Sequence, residues 1–181
     1  YLYRQVIAGH SQTGLVTVCH TEDYEKDIIK KHEKTRQDKE DDRTNLVDAL
    51  NANTGPIFLT YRQRPSISAL IESFMKDEKP INDFTAPDGV RHQLWRISLG
   101  LCVSLTGLFE SQVPCAYVAD GHHRAASAFR VSKLRREANP NHTGEEPYNY
   151  FLAVIFPHTH LRILPYNRVV TDLNSLTPSE F

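Results

Sequence analysis

Residues 113–137, VPCAYVADGHHRAASAFRVSKLRRE, constrain this chain more than any other stretch. An apolar run of strand length ends at an Asp-Gly pair, and the alanine-rich segment behind it has the composition of a helix. No residues are left over for a connecting loop. The strand must hand over to the helix in a single turn. Ala125, Ala126, Ser127 and Ala128 are small enough to let that helix sit close to a sheet. A chain with such a junction has to build a β-sheet with helices laid on it.

The remaining segments agree. YLYRQVIAGHSQTGLVTVCH alternates apolar and polar residues on both sides of GHSQTG, the pattern of a β-hairpin with a glycine-bounded loop. Thr21 is expected to cap a short helix with Glu22 and Asp23 in its first turn and Tyr24, Ile28 and Ile29 on its apolar face. TNLVDALNANTGP reads as a short helix closed by asparagine and Gly55 ahead of Pro56. IFLTY follows as a buried strand and SISALIESFMK as an amphipathic helix, while PINDFTAPDG reads as a loop. VRHQLWRI alternates as a strand with Trp95 inward, and LGLCVSLTGLFES is apolar enough for a helix buried between other elements. ANPNHTGEEP is a polar loop, YNYFLAVIF a continuous apolar strand, and PHTHLRILPYNRVV is expected to turn back as a second strand. Pro157 and Pro165 push that last pair towards a sheet edge or bulge. The fold class is therefore α/β (α+β): one domain over residues 1–181, a mixed β-sheet with flanking helices. Opening on a strand at Tyr1, the chain reads as a fragment of a longer one.

The Asp-Gly turn concentrates chemistry that no core needs. The first N–H groups of a helix lack intrahelical partners, and the helix dipole is positive there, so an anion is favoured. Gly121 permits a sharp turn and close approach of a ligand. Arg124 brings a planar fork suited to phosphate oxygens, and His122 and His123 add donors. Asp120 has the chemistry to cap the helix, hold a metal or orient a hydroxyl. A phosphate cradle is the expectation, with Gly121, His122, His123 and Arg124 as its binding residues.

A second cluster, KHEKTRQDKEDDR at 31–43, shows no apolar face. Its plain reading is a solvated charged linker. The sharper one is a mobile segment that carries a carboxylate base and an arginine over the phosphate site, with His32, Glu33, Thr35, Arg36, Asp41, Asp42 and Arg43 as its polar members. Asp88, His92, Asn167 and Arg168 are lesser candidates, each equally suited to a turn or a surface pair.

Composition removes several classes of function. With 40% hydrophobic and 24% charged residues the chain is an ordinary globular sequence. A net charge of −1 supplies no global field for nucleic acid, and RVSKLRRE at 130–137 is too modest for a recognition helix. No apolar run is long enough to span a membrane. Cys19, Cys102 and Cys115 are widely spaced in apolar surroundings and read as buried thiols of a cytoplasmic protein. There is no GxxxxGK[ST] loop, no GxGxxG after a strand and no HExxH spacing, so no metal site is expected.

Taken in order, HEKT…EDDR, NANTGPIFLTY, DGVRHQLW, YVADGHHRAAS, YNYFLAVIFP and LRILPYNRVV resemble a widespread bacterial and archaeal family of uncharacterised proteins, a domain of unknown function. The DGHHR turn is in addition similar to the DGHTR-type turn of free serine kinases in the ParB/sulfiredoxin-like superfamily. That resemblance implies a nucleotide's phosphates on the turn and phosphorylation of the hydroxyl of free L-serine. Asp120, Gly121, His122 and Arg124 match it, and His123 stands where threonine is usual. It also implies a glutamate base, for which Glu33 is the candidate.

The expectation is a small-molecule phosphotransferase using magnesium with ATP, ADP or pyrophosphate. Glu33, Asp120 and His122 are its catalytic candidates, and His32, Arg43 and Arg168 its secondary ones. Its partners are the small-molecule substrate and the phosphate donor. The alternatives are a nucleotide-binding regulatory switch without kinase activity, and a metal-dependent hydrolase built on the histidines.

Overall fold

A computed structural model describes residues 1–180. Strands β1 (Leu2–Ile7) and β2 (His10–His20) form a hairpin joined by Ala8–Gly9. The expected GHSQTG loop is thus only a two-residue turn, and His10–Gly14 already pair with β1. Helix α1 (Thr21–Glu25) follows, then the short β3 (Ile29–Lys30), α2 (Gln37–Leu50), β4 (Ile57–Tyr61) and α3 (Pro65–Asp77). The rest comprises β5 (Asn82–Thr85), β6 (Arg91–Trp95), α4 (Leu99–Gln112), β7 (Ala116–Asp120), α5 (His122–Ala138) and β8 (Tyr150–Pro157).

The eight strands make one mixed sheet in the order β3-β7-β4-β8-β2-β1-β6-β5. β3–β7 and β4–β8 are parallel and the other pairs antiparallel. Alternation along the central strands sends Ile57, Leu59, Tyr61, Phe151, Ala153 and Ile155 into one apolar cluster with α4 and α5. Leu59, Phe151 and Ala153 are completely buried there. Burying a Leu- or Phe-sized side chain stabilises by about 1.5–3 kcal/mol. Trp95 is inward, as its alternation predicts.

Several expectations are corrected. His20, not Thr21, caps α1, its Nδ1 accepting the Glu22 N–H at 3.1 Å; Thr21 is buried against the Ser132 hydroxyl. α1 stops at Glu25, so Ile29 belongs to β3 and Ile28 precedes it. Residues 37–43 of the charged stretch and the helix after it are one continuous helix, α2, while 31–36 stays a connection. PINDFTAPDG contains β5, whose fully exposed residues pair with β6 at the sheet edge and leave no burial pattern in the sequence.

Helix α4 buries one stripe, with Leu101 and Leu105 innermost, and leaves Leu99 81% and Val103 65% exposed. The expected second strand after β8 does not form. β8 already has β4 and β2 on its two edges, so it is interior despite Pro157, and 161–170 runs without regular structure. Of the cysteines, Cys102 is exposed and Cys19 and Cys115 are half-buried, so the three are not uniformly buried thiols.

Candidate functional site

β7 carries the site because of where its neighbours begin and end. β3 runs parallel to β7 and β4 antiparallel to it, so the carboxyl ends of β3 and β7 meet the amino end of β4. Three connections converge there: 31–36 after β3, 51–56 before β4, and the Asp120–Arg124 turn.

Gly121 is the N-cap of α5 with φ +95°, a left-handed conformation that glycine adopts without strain. No side chain caps the helix. Asp120 therefore does not serve as a cap. Its carboxylate, 74% exposed, accepts a hydrogen bond from Arg124 Nη2 at 2.8 Å. The guanidinium lies close over two glycines. A Cβ on Gly121 would come within 2.9 Å of Arg124 Nη2, and one on Gly55 within 3.2 Å of Nη1. Gly55 is a site residue that its sequence context disguised as a helix stop.

His122 is 4% exposed. Its Nδ1 lies 3.4 Å from Glu33 Oε2, and its ring meets that of His32 edge-on at 4.4 Å between centroids. Burial holds its pKa below the usual histidine value, and the neighbouring His32 works in the same direction. The ring is thus neutral near pH 7. Its Nε2 is a buried nitrogen without a hydrogen-bond partner among the described residues.

His123 turns towards the 31–36 connection, its Nε2 accepting the Arg36 backbone N–H at 3.3 Å. Arg36 folds its own side chain onto Asp38. The structure thus brings together His32, Glu33, Asp120, Gly121, His122, His123 and Arg124. It does not bring Arg43 or Arg168 to a partner: both are exposed and make no hydrogen bond or ion pair among the described residues, Arg43 on α2 and Arg168 in the irregular segment after β8. Asp88 makes a turn, accepting the Val90 N–H, and His92 packs between Tyr3 and Phe84; both belong to surface structure. Asn167 lies beside Arg168 in the same irregular segment.

A cavity of about 820 Å³ lies elsewhere. It opens beside the amino end of β7 between the sheet and α4, and all three cysteines line it. Burial pushes the Cys19 thiol up to about 12, which removes it as a nucleophile. The chemistry-bearing residues cluster at the opposite end of the strand. Among the described residues, no three His, Cys, Asp or Glu side chains are grouped to hold a metal ion. Among the described residues, no helix is long and apolar enough to cross a membrane.

Residues 1–181 match the family described as "Protein of unknown function (DUF1015)". No curated protein and no solved structure matches the chain.

Proposed function

We propose that this chain, which belongs to the DUF1015 family throughout residues 1–181, is a small-molecule phosphotransferase whose phosphate donor binds on the Asp120–Arg124 turn. The observation that carries this reading is the position of Glu33. Its carboxylate, 55% exposed, stands 3.4 Å from the first residue of the helix whose amino-terminal N–H groups no side chain caps. A base and an anion cradle thus share one end of the sheet.

The donor is ATP, ADP or pyrophosphate. Its terminal phosphates accept from the free N–H groups of His122, His123 and Arg124 and from the guanidinium. Magnesium entering with the phosphates offsets their charge. Such ions rest on one or two carboxylates plus phosphate oxygens, and exposed Asp120 fits that role. Glu33 takes the proton from the acceptor hydroxyl, with His122 Nδ1 beside its carboxylate. The acceptor oxygen forms a new bond to phosphorus as the bond from phosphorus to the leaving phosphate oxygen breaks. Positioning and charge stabilisation do most of the work in such transfers. Free L-serine is the acceptor to try first, by the similarity of the DGHHR turn to that of the ParB-like serine kinases.

The test is calorimetric titration of magnesium with ATP, ADP or pyrophosphate into the wild type and Arg124→Ala, followed by incubation of each donor with L-serine. Arg124→Ala should weaken binding roughly 10- to 100-fold, the worth of one or two hydrogen bonds to a charged group. Phosphoserine establishes the kinase. Binding without any phosphorylated product favours a nucleotide-responsive switch, and no binding by the folded wild type ends the phosphate reading.

A further inference from the structure

Helix α5 carries three polar residues, His123, Ser127 and Arg130, at spacings of four and three among alanines. That spacing puts them on one stripe of the helix. Each meets the chain that leads into α2. His123 Nε2 accepts the Arg36 N–H at 3.3 Å. Ser127 Oγ, completely buried, lies 3.3 Å from the Glu40 carbonyl and donates at 2.7 Å to the His123 carbonyl. Arg130 Nη1 pairs with Asp41 Oδ1 at 2.7 Å and Glu40 Oε2 at 3.5 Å. The other oxygen of Glu40 accepts from the Thr35 hydroxyl. The connection bearing His32 and Glu33 is therefore pinned at its far end through Thr35, Glu40 and Arg130. Beside Thr35 it is held also by His123, through the Arg36 N–H, and its near end is held by Lys31, whose Nζ donates to the Tyr24 carbonyl at 3.0 Å.

We infer that the His123 side chain is a latch for this connection, a positioning group that holds Glu33 over the turn through Nε2 rather than a phosphate ligand at that atom. The chemistry decides between the two roles. To accept from Arg36 the Nε2 atom must carry a lone pair and no proton; the ring's one proton is then on Nδ1, and Nε2 has no N–H to offer an anion. Its lone pair would repel phosphate oxygens. The part of this inference that concerns ligand affinity rests on the function proposed above; the latch itself does not.

The experiment compares wild type, His123→Ala and His123→Gln, the last keeping an acceptor near the position of Nε2. Hydrogen exchange of the segment spanning Glu33 to Arg36 and tryptic cleavage after Lys34 and Arg36 report the latch. Calorimetry with magnesium pyrophosphate reports the site. His123→Ala should exchange and be cleaved at least tenfold faster there, with protection of β4 and β8 unchanged, and should bind pyrophosphate within a few-fold of the wild type. His123→Gln should restore both exchange and cleavage to within about threefold. Unchanged exchange in His123→Ala overturns the latch, and unchanged exchange with lost binding makes His123 a direct ligand instead. A glutamine variant that behaves like alanine also overturns it. If the wild type binds none of pyrophosphate, ATP and ADP with magnesium, the phosphate reading fails while the exchange result still decides the latch.

Discussion

Arg124 Nη2 and Asp120 Oδ2 meet at 2.8 Å, and the ion pair lays the guanidinium across Gly121 and Gly55. A side chain four residues into the strand-to-helix junction is thereby returned to the turn itself. The pair is partly exposed, so its own contribution to stability is small. What it does is orient a fork of donors beside the amino end of α5.

Gly121→Ala should damage both fold and site. Alanine at φ +95° is strained, and its Cβ would meet Arg124 Nη2 at 2.9 Å. A non-glycine residue forced into such a conformation costs about 1–3 kcal/mol. Urea unfolding should show a loss of that size. Gly55→Ala, at 3.2 Å from Nη1 and without a positive φ, should leave stability nearly unchanged while weakening pyrophosphate binding. Equal losses of stability in the two variants would contradict this account.

Glu33→Gln should separate chemistry from binding. The side chain is more than half exposed, so folding is expected to be unaffected. Removing a general base typically slows a reaction roughly 10²–10⁴-fold. Rates of phosphoryl transfer should fall by that order while donor affinity stays within a few-fold. A variant with full activity would move the base elsewhere.

Acid should destabilise the protein in two windows. Burial lowers the His122 pKa below its ordinary 6.5, so the unfolded chain binds the proton more readily. Stability from this group is complete above 6.5 and declines as pH falls through the folded value. The stability–pH slope just below 6.5 should be shallower in His122→Asn. Glu146 adds a lower window: despite some desolvation, hydrogen bonds from Thr143 and Gly144 hold it at about 2, so its contribution is lost between its ordinary 4.5 and 2. Glu146→Gln should flatten that part of the curve. Chemical unfolding at half-unit pH steps measures both.

Ser127→Leu tests the packing of α2. The position is completely buried where α2 crosses α5, and Glu40 lies against it. Overpacking such a site costs about 1–3 kcal/mol. The melting temperature should drop, and exchange along 31–44 should rise before exchange in the sheet does. A loss of protection spread evenly over the chain would show that α2 is not separately docked.

Much of the fold was legible where burial leaves a pattern. The alternation in IFLTY and the continuous apolar run of YNYFLAVIF are positions whose neighbours are fixed by the need to leave water, and both are interior strands. β5 was not legible, because Asn82–Thr85 are exposed on every side and owe their strand geometry to pairing with β6. The docking of α2 was hidden for a related reason. Its contacts with α5 run through the polar side chains of Glu40, Asp41 and Asp48, and charged residues read locally as solvated.

By itself the sequence determined the strand, the glycine turn and the helix at 113–137, since local conformational preferences and small side chains suffice for that junction. It also marked Asp120, Gly121, His122 and Arg124 as chemistry out of place in a core. Only the tertiary structure decided that Glu33 and Gly55 join them. Glu33 is separated from His122 by 89 positions. Their meeting depends on β3 running parallel to β7 and β4 antiparallel to it, and strand direction in a sheet is set by long-range pairing, of which a residue's own neighbours in sequence carry no record.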